Sequence, residues 1–419
     1  MNSPSVRQRA VTAVAGAAQV GTGILMGTVM AVYVGREGSP LAVGLVTTSY
    51  FLGLVVFAPV WGAVADITGR RRAVLVGVSA LATLSTLPLA VVDGVWGPIA
   101  VRTAFSMFAA GFLPVILTIV SERGGASGRG RSIGSFNSAR SVGFTGARLF
   151  SGVLLGILAP GSVYLVVAGV SLTATVAAAL IDDPTPDPDG KPTLAELAAE
   201  IRGRLLPAVG EREHLTTNGL QWLYVALALR SLSWLGMASL LPIFLIAEVG
   251  ASEFAMGLLL ALSPVVEVGG MYTFGRVADA IGRKPLVAAG IAGHVLVGLF
   301  MAASTLPASP LVGQVTAGTA MVLKGVGFSA MVAGTVAFIG DVAPVDRESE
   351  LMGLRSTAKG VGGVLGPVVI GTIATVATYE VAFLVSSLIA VAGAVIAWRL
   401  LVESHPDAPL DRTFHVGDD

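Results

Sequence analysis

The sequence predicts an all-α membrane protein whose twelve spanning helices form two pseudo-symmetric bundles of six. Three observations carry that expectation. Only 12% of the 419 residues are charged and 54% are hydrophobic, whereas a soluble domain is about a quarter charged. Apolar stretches of about 20 residues, the helix length that matches a bilayer core of roughly 30 Å, recur from end to end. Finally, the second half repeats motifs of the first at a fixed offset.

A closed barrel would read as segments of about ten residues alternating apolar and polar. Runs such as SLIAVAGAVIAWRLL, residues 387 to 401, do not alternate, so helices are expected. Apolar runs between charge and turn signals place spans at 10–34, 41–65, 73–92, 97–120, 132–158 and 163–181. A second set follows at 218–247, 253–275, 286–304, 310–340, 350–377 and 380–402. The first span follows Arg7 and Arg9 as a signal peptide would, but its length exceeds an h-region of about 7–15 residues, so it is read as a helix that stays. Pro59, Pro114, Pro242, Pro264 and Pro367 fall within spans, where proline is tolerated.

Arg and Lys are retained on the cytoplasmic side. With the N-terminus inside, that side receives Arg7, Arg9, Arg70, Arg71, Arg72, Arg123, Arg129, Arg131, Lys191, Arg202, Arg204, Arg212, Arg276, Arg283, Lys284, Arg347 and Arg412, and the outer loops receive only Arg36. A multi-pass plasma-membrane protein with both termini cytoplasmic is expected. The domains are then 1–181, a bundle; 182–217, a cytoplasmic linker; 218–403, a second bundle; and 404–419, a tail. The linker opens DDPTPDPDGKP, extended and solvated, and continues with Leu194, Leu197, Ala198, Ile201 and Leu205 at helical spacing. That pattern predicts an amphipathic helix on the membrane surface.

The repeat is explicit. One offset lays Gly62 on Gly275, Asp66 on Asp279, Gly69 on Gly282, Arg70 on Arg283 and Gly77 on Gly290. A slightly longer one lays Gly134 on Gly353, Arg140 on Lys359, Gly143 on Gly362 and Gly152 on Gly371. Parallel repeats of this kind characterise one class of secondary transporters, with substrate sites near the midplane. The stretches GAVADITGRRR (62–72) and GRVADAIGRK (275–284) resemble the signature loop of the major facilitator superfamily, and the resemblance spans nearly the whole chain. VRTAFSMFAAG (101–111) looks like the fourth-helix arginine motif of its drug:proton antiporters, with Arg102 as the arginine and Ser106 in place of a glycine. The fifth helix departs from the antiporter pattern: it reads GARLFSG (146–152), with Ala147 where the antiporters have proline.

The resemblance implies a transporter working by alternating access, with Asp66, Arg70, Gly62 and Gly69, and their echoes Asp279, Gly282 and Arg283, in a gate. Lys359 or Arg355 on the eleventh helix is the implied opposing cation. An ion pair made in only one conformation needs about 1–3 kcal/mol to shift populations. Arg71 and Arg72 are read as topology anchors.

A charge in mid-span is penalised by about 2.5–3.5 kcal/mol even on the gentler scale. Arg148, Arg230, Glu267 and Lys324 fall near the midplane, Arg102 somewhat nearer the outside, and Gln19, Ser231, Ser233 and Trp234 lie at similar depth. These six, Glu267, Arg230, Arg102, Arg148, Lys324 and Gln19, are the candidate substrate and coupling residues. Glu267 is the acid deepest in any span, hence the expected proton carrier, and the surplus of cations suits a carboxylate or phosphate, which Arg engages bidentately.

The sequence holds no G-x-x-x-x-G-K-[ST] loop and no H-E-x-x-H, so neither a nucleotide-driven pump nor a metalloprotease is expected. The chain is read as no enzyme, without cofactors or metal, not binding nucleic acid, and monomeric. Without cysteine it has no disulfides. His294, in the ninth span, is read as a packed helix residue. The leading expectation is proton-coupled efflux of small molecules or drugs, with uptake or exchange of a small organic anion as the alternative, and a non-transporting membrane sensor on the same fold as the reading from another class.

Overall fold

A computed structural model of the chain describes residues 6–183, 193–205, 215–344 and 348–405. Lys191, Arg212, Arg347, Arg412, His214 and His415 lie outside the described residues. Among the described residues the regular structure is helical throughout, with no strand.

The first half contains α1 (Val6–Glu37), α2 (Pro40–Thr68), α3 (Arg71–Thr86), α4 (Trp96–Ala109), α5 (Phe112–Ile157) and α6 (Pro160–Ala179), and α7 (Leu194–Leu205) follows. The second half contains α8 (Leu220–Ala247), α9 (Glu253–Ile281), α10 (Arg283–Ala303), α11 (Pro310–Val342), α12 (Glu348–Val376) and α13 (Tyr379–Leu400). Eleven helical stretches among the described residues are long and apolar enough to cross a membrane. The span expected at 132–158 is helical too, as the second part of α5, but it is not among the eleven: this stretch carries Arg140, Arg148, Asn137 and a series of Ser and Gly. The span expected at 97–120 is one of the eleven, Trp96–Gly125, with a local break in its helical hydrogen bonding. The α-helix stops at Ala109, restarts at Phe112 and turns at Gly125, whose φ of 63° lies in the left-handed region that glycine adopts without a Cβ clash. Pro114 therefore sits in the first turn of α5 instead of mid-helix, where its missing N–H costs no hydrogen bond.

Helix starts follow ordinary rules. Pro160 and Pro310 open α6 and α11, where the proline φ is already helical. Ser252 and Thr378 cap α9 and α13 by accepting from the amides of Ala255 and Val381. α7 begins with a capping box that the sequence carried unnoticed as T-L-A-E. The Thr193 hydroxyl accepts from the Glu196 amide at 3.2 Å while the Glu196 carboxylate accepts from the Thr193 amide at 2.8 Å, satisfying two otherwise orphan donors.

The described chain divides into two compact units, Met1–Gly38 with Leu45–Val209, and Ser39–Gly44 with Gly210–Asp419. The core of the first is built on Ala15, Leu75, Ile116, Ile119, Phe136 and Ile181. That of the second gathers Leu223, Val287, Ile291, Met331, Phe338 and Leu351. Helix association in lipid depends on close van der Waals packing at small residues, and two glycines matched by the repeat supply it. A Cβ on Gly143 would lie 2.7 Å from Ala17 Cα, closing α5 onto α1, and one on Gly362 would lie 2.5 Å from the Leu232 amide, closing α12 onto α8.

Candidate functional site

In the second unit four helices deliver their polar side chains to one buried cluster. α8 brings Arg230 and Trp234, α9 brings Glu267 and Ser263, α10 brings His294, and α11 brings Lys324 and Phe328. The Lys324 ammonium is paired with Glu267 Oε1, which also accepts from the Ser263 hydroxyl at 2.9 Å. The same ammonium lies 4.8 Å from the Trp234 ring centre and 4.7 Å from that of Phe328, so two aromatic faces attract it as well. Arg230 stacks over the other partner of this group, Phe328, at 5.0 Å. Its Nη2 lies 2.9 Å from His294 Nε2, and the imidazole stands edge-on to Trp234 at 5.6 Å. Arg230 is 5% exposed, Lys324 7% and His294 1%.

Three residues expected at mid-span, Arg230, Glu267 and Lys324, are thus brought together. Ser233, expected near them, bonds the Ser386 hydroxyl of α13 instead. His294 is packed as the sequence suggested, but it is also the acceptor of Arg230, which sequence reasoning missed. The signal was available: a guanidinium in mid-span needs an acceptor, and a lone histidine at similar depth can be one.

The first unit holds its own cluster. Arg102 on α4 is 4% exposed, donates from Nη2 to the Gly23 carbonyl of α1 at 2.9 Å, and lies 4.2 Å from the Tyr50 ring of α2. Its Nε and Nη1 are buried without hydrogen-bond partners, as is Oε1 of Gln19, which sits one turn before Gly23 on α1. Ser106, in the position where the antiporter motif has glycine, bonds the Ser49 and Thr103 carbonyls at 3.2 and 2.7 Å, so its hydroxyl is satisfied locally. Arg148 stands on α5 with its guanidinium 5.5 Å from the Phe144 ring.

The paired turns form a third group. Gly69 and Gly282, matched by the repeat, adopt φ of 61° and 99°, which explains glycine at both. Arg283 is buried, pairs with Asp279 and Asp341 at 3.0 Å each, and donates to the Ala278 carbonyl. The Glu403 carboxylate accepts from the Arg283 and Lys284 amides at 2.8 and 3.0 Å, an anion placed on the N-terminus of α10 where the helix dipole favours it. The first unit holds a related arrangement, shifted by one residue. Arg71 pairs with Glu122, and Asp183 accepts from the Arg72 amide at 3.1 Å on the N-terminus of α3. Arg71 and Arg72, read from sequence as topology anchors, therefore have specific partners; Arg72 also donates to the Ala179 carbonyl. Asp66, Arg70, Asp279 and Lys359 are exposed, and Gly62 is half-buried. Among the described residues no group of three His, Cys, Asp or Glu is placed to hold a metal ion.

Comparison with known proteins agrees with this architecture. A protein of Haemophilus influenzae whose name refers to metabolite transport is 23% identical over 355 residues, covering 84% of each chain. Among solved structures, the nucleoside transporter NupG superposes with a TM-score of 0.71 at 14% identity, over 94% of this chain and 99% of that one. The D-xylose-proton symporter gives 0.72 at 15% identity, over 94% and 98%, and the POT family transporter PepTSo gives 0.74 at 13%, over 94% and 97%. The family model "Major Facilitator Superfamily" matches residues 11–320 and 223–416, and the helical fold and its likeness to solved transporters agree with it: the chain belongs to the major facilitator superfamily.

Proposed function

We propose that the chain is a secondary active transporter that moves a small metabolite anion together with a proton, by alternating access in the plasma membrane with both termini cytoplasmic. The Lys324–Glu267 pair is the observation that carries this reading. Beside it stands Arg230 without a carboxylate of its own, so the cluster has more positive than negative charge. Guanidinium and ammonium groups in an apolar surrounding favour a ligand carboxylate or phosphate. A ligand anion that takes over Lys324 leaves Glu267 buried without its cation. Such an isolated charge costs several kcal/mol, and taking up a proton removes it. Anion and proton thus load together, and both leave when the pair re-forms. The named functions of the relatives, metabolite transport and proton symport with the uncharged sugar D-xylose, support transport of a small metabolite with a proton; the anionic charge of the ligand rests on the cluster alone.

Export by proton antiport is the second reading, supported by Arg102 with its two unfilled donors. The sign of proton movement separates the two. Lactate, succinate or inorganic phosphate is added outside proteoliposomes carrying a trapped pH dye, with protein-free vesicles as control. Symport acidifies the lumen and antiport makes it alkaline. Glu267→Gln should abolish the proton signal; an undiminished signal in that variant overturns the assignment of Glu267.

A further inference from the structure

The Lys324–Glu267 pair explains how one of the two cations of the buried cluster is neutralised and leaves open what holds the other. Arg230 has five N–H donors and no acceptor, so in its 2.9 Å contact with His294 the imidazole Nε2 must be the unprotonated nitrogen. The ring proton then sits on Nδ1, and the imidazole is neutral. Two surfaces hold the guanidinium, His294 Nε2 at one amino group and the Phe328 ring at 5.0 Å, and Trp234 backs the imidazole edge-on at 5.6 Å. One donor, Nε, is buried and has no hydrogen-bond partner.

We propose that His294 is a positioning residue for anion binding: its Nε2 holds the Arg230 fork so that the unfilled Nε edge stays turned to the carboxylate or phosphate of the ligand. This rests on the anion-transport reading above. The choice of residue has a physical reason. A carboxylate at position 294 would hold Arg230 more firmly, but it would cancel the charge that attracts the ligand, whereas a neutral imidazole orients the cation and leaves its charge intact. The charged groups that face His294 from the packed helices are Arg230 on α8 and Lys324 on α11, the latter tied to Glu267 on α9. α13 has no charged side chain between Glu380 and Arg399.

Three variants and one spectrum test the proposal. Uptake of lactate, succinate or phosphate, whichever the proteoliposomes move, is measured for His294→Gln, which keeps an acceptor oxygen, for His294→Phe, which keeps the aromatic ring but cannot accept, and for His294→Glu. The expectation is a KM close to that of the unaltered chain for His294→Gln. For His294→Phe, KM rises about tenfold, the scale of one lost hydrogen bond to a charged group, with kcat within about twofold. His294→Glu loses anion uptake although Arg230 is still held. Equal impairment of the Gln and Phe variants, an unchanged KM in His294→Phe, or full uptake by His294→Glu overturns the proposal. Independently of transport, 15N-histidine spectra of the full chain, with the signal assigned by its loss in His294→Gln, should show Nδ1 protonated and Nε2 bare. A protonated Nε2 overturns the geometry. If the unaltered chain moves none of the three anions, the transport reading falls, and the nitrogen spectrum still decides whether His294 holds Arg230.

Discussion

Removing one side of the Lys324–Glu267 pair should destabilise the protein far more than removing both. The two side chains are 8% and 16% exposed, so each has given up most of its hydration on folding, and truncating one partner strands a buried charge at a cost of about 3–5 kcal/mol. The two single losses are not equal. In Glu267→Gln the ammonium keeps the faces of Trp234 and Phe328, which together return about 1–2 kcal/mol, so the net cost falls to about 2–3 kcal/mol. In Lys324→Gln the carboxylate keeps the Ser263 hydroxyl but not the ammonium, and the loss stays near the upper end, about 4 kcal/mol, at alkaline pH where Glu267 remains ionised, and shrinks as it takes up a proton. The double variant pairs two neutral amides that can bond each other and should lie within about 1 kcal/mol of the unaltered protein. Denaturation in mixed micelles, followed by fluorescence, gives the four stabilities of the cycle, and the interaction term should reach several kcal/mol. If the loss in the double variant equals the sum of the single losses, the pair carries no coupling and the account of the cluster fails.

Two further predictions concern the ends of α7 and the glycines of the repeat. The Thr193 amide, and after it the Thr193 hydroxyl, hold the Glu196 carboxyl below its usual range. A depressed carboxylate contributes stability that is complete above its unfolded pKa and is lost as pH falls through the folded one, so α7 should fray below about pH 4. A spin label at Ala198 should gain mobility on acidification in the unaltered chain and be mobile at both pH values in Glu196→Ala, which removes the acceptor. Gly77 and Gly290 occupy one register of the repeat but meet different surroundings: a Cβ at Gly77 has nothing within 4 Å, whereas one at Gly290 lies 2.5 Å from the Met331 amide and 2.6 Å from the Gly327 carbonyl. Thermal unfolding should therefore rank Gly77→Ala at or above the unaltered protein, by about 0.5–1 kcal/mol, and Gly290→Ala below it by about 1–3 kcal/mol; the reverse order would contradict the packing of α10 on α11.

The helices were legible because a bilayer imposes a length on apolar runs, and the turns at Gly69 and Gly282 because a left-handed φ restricts the residue type. The break at Ala109–Phe112 within the fourth span was marked only by Pro114, which lacks the N–H that would bond the Ala110 carbonyl, and a proline within a span does not by itself fix where a helix breaks. Of the site, Arg230, Glu267 and Lys324 stood out by the cost of charge in a span. Their assembly with His294 did not, because the four residues come from four helices and only packing brings them together. Distance along the chain hid the other partners as well: Asp183 reaches α3 and Glu403 reaches α10 across more than one hundred residues. Read locally, Arg71 and Arg72 are only a crowd of cations; their acids lie on α5 and beyond α6.

The two units keep their common pattern unevenly, and the unevenness separates two kinds of work. At the end bearing the glycine turns a similar pattern recurs: Asp183 and Glu403 each cap the helix after the turn, and the matched acids Glu122 and Asp341 each hold an arginine, Arg71 and Arg283, one residue out of register with each other. Deeper in the bundles it is lost. The offset that lays Gly62 on Gly275 lays Leu54 on Glu267, and the one that lays Gly143 on Gly362 lays Phe105 on Lys324. A device that must open and close alike in both halves gains from identical ion pairs, because the same break and the same re-formation then serve each unit. A ligand without internal symmetry gains nothing from a duplicated site, and two copies of a buried ion pair would double the desolvation cost. On the function proposed above, the retained charges are the ones assigned to conformational exchange and the unmatched ones those assigned to ligand and proton. On that division, altering Glu122 or Asp341 should shift the balance between conformations while leaving ligand selectivity intact, and altering Arg230 or Lys324 should change which anion is accepted.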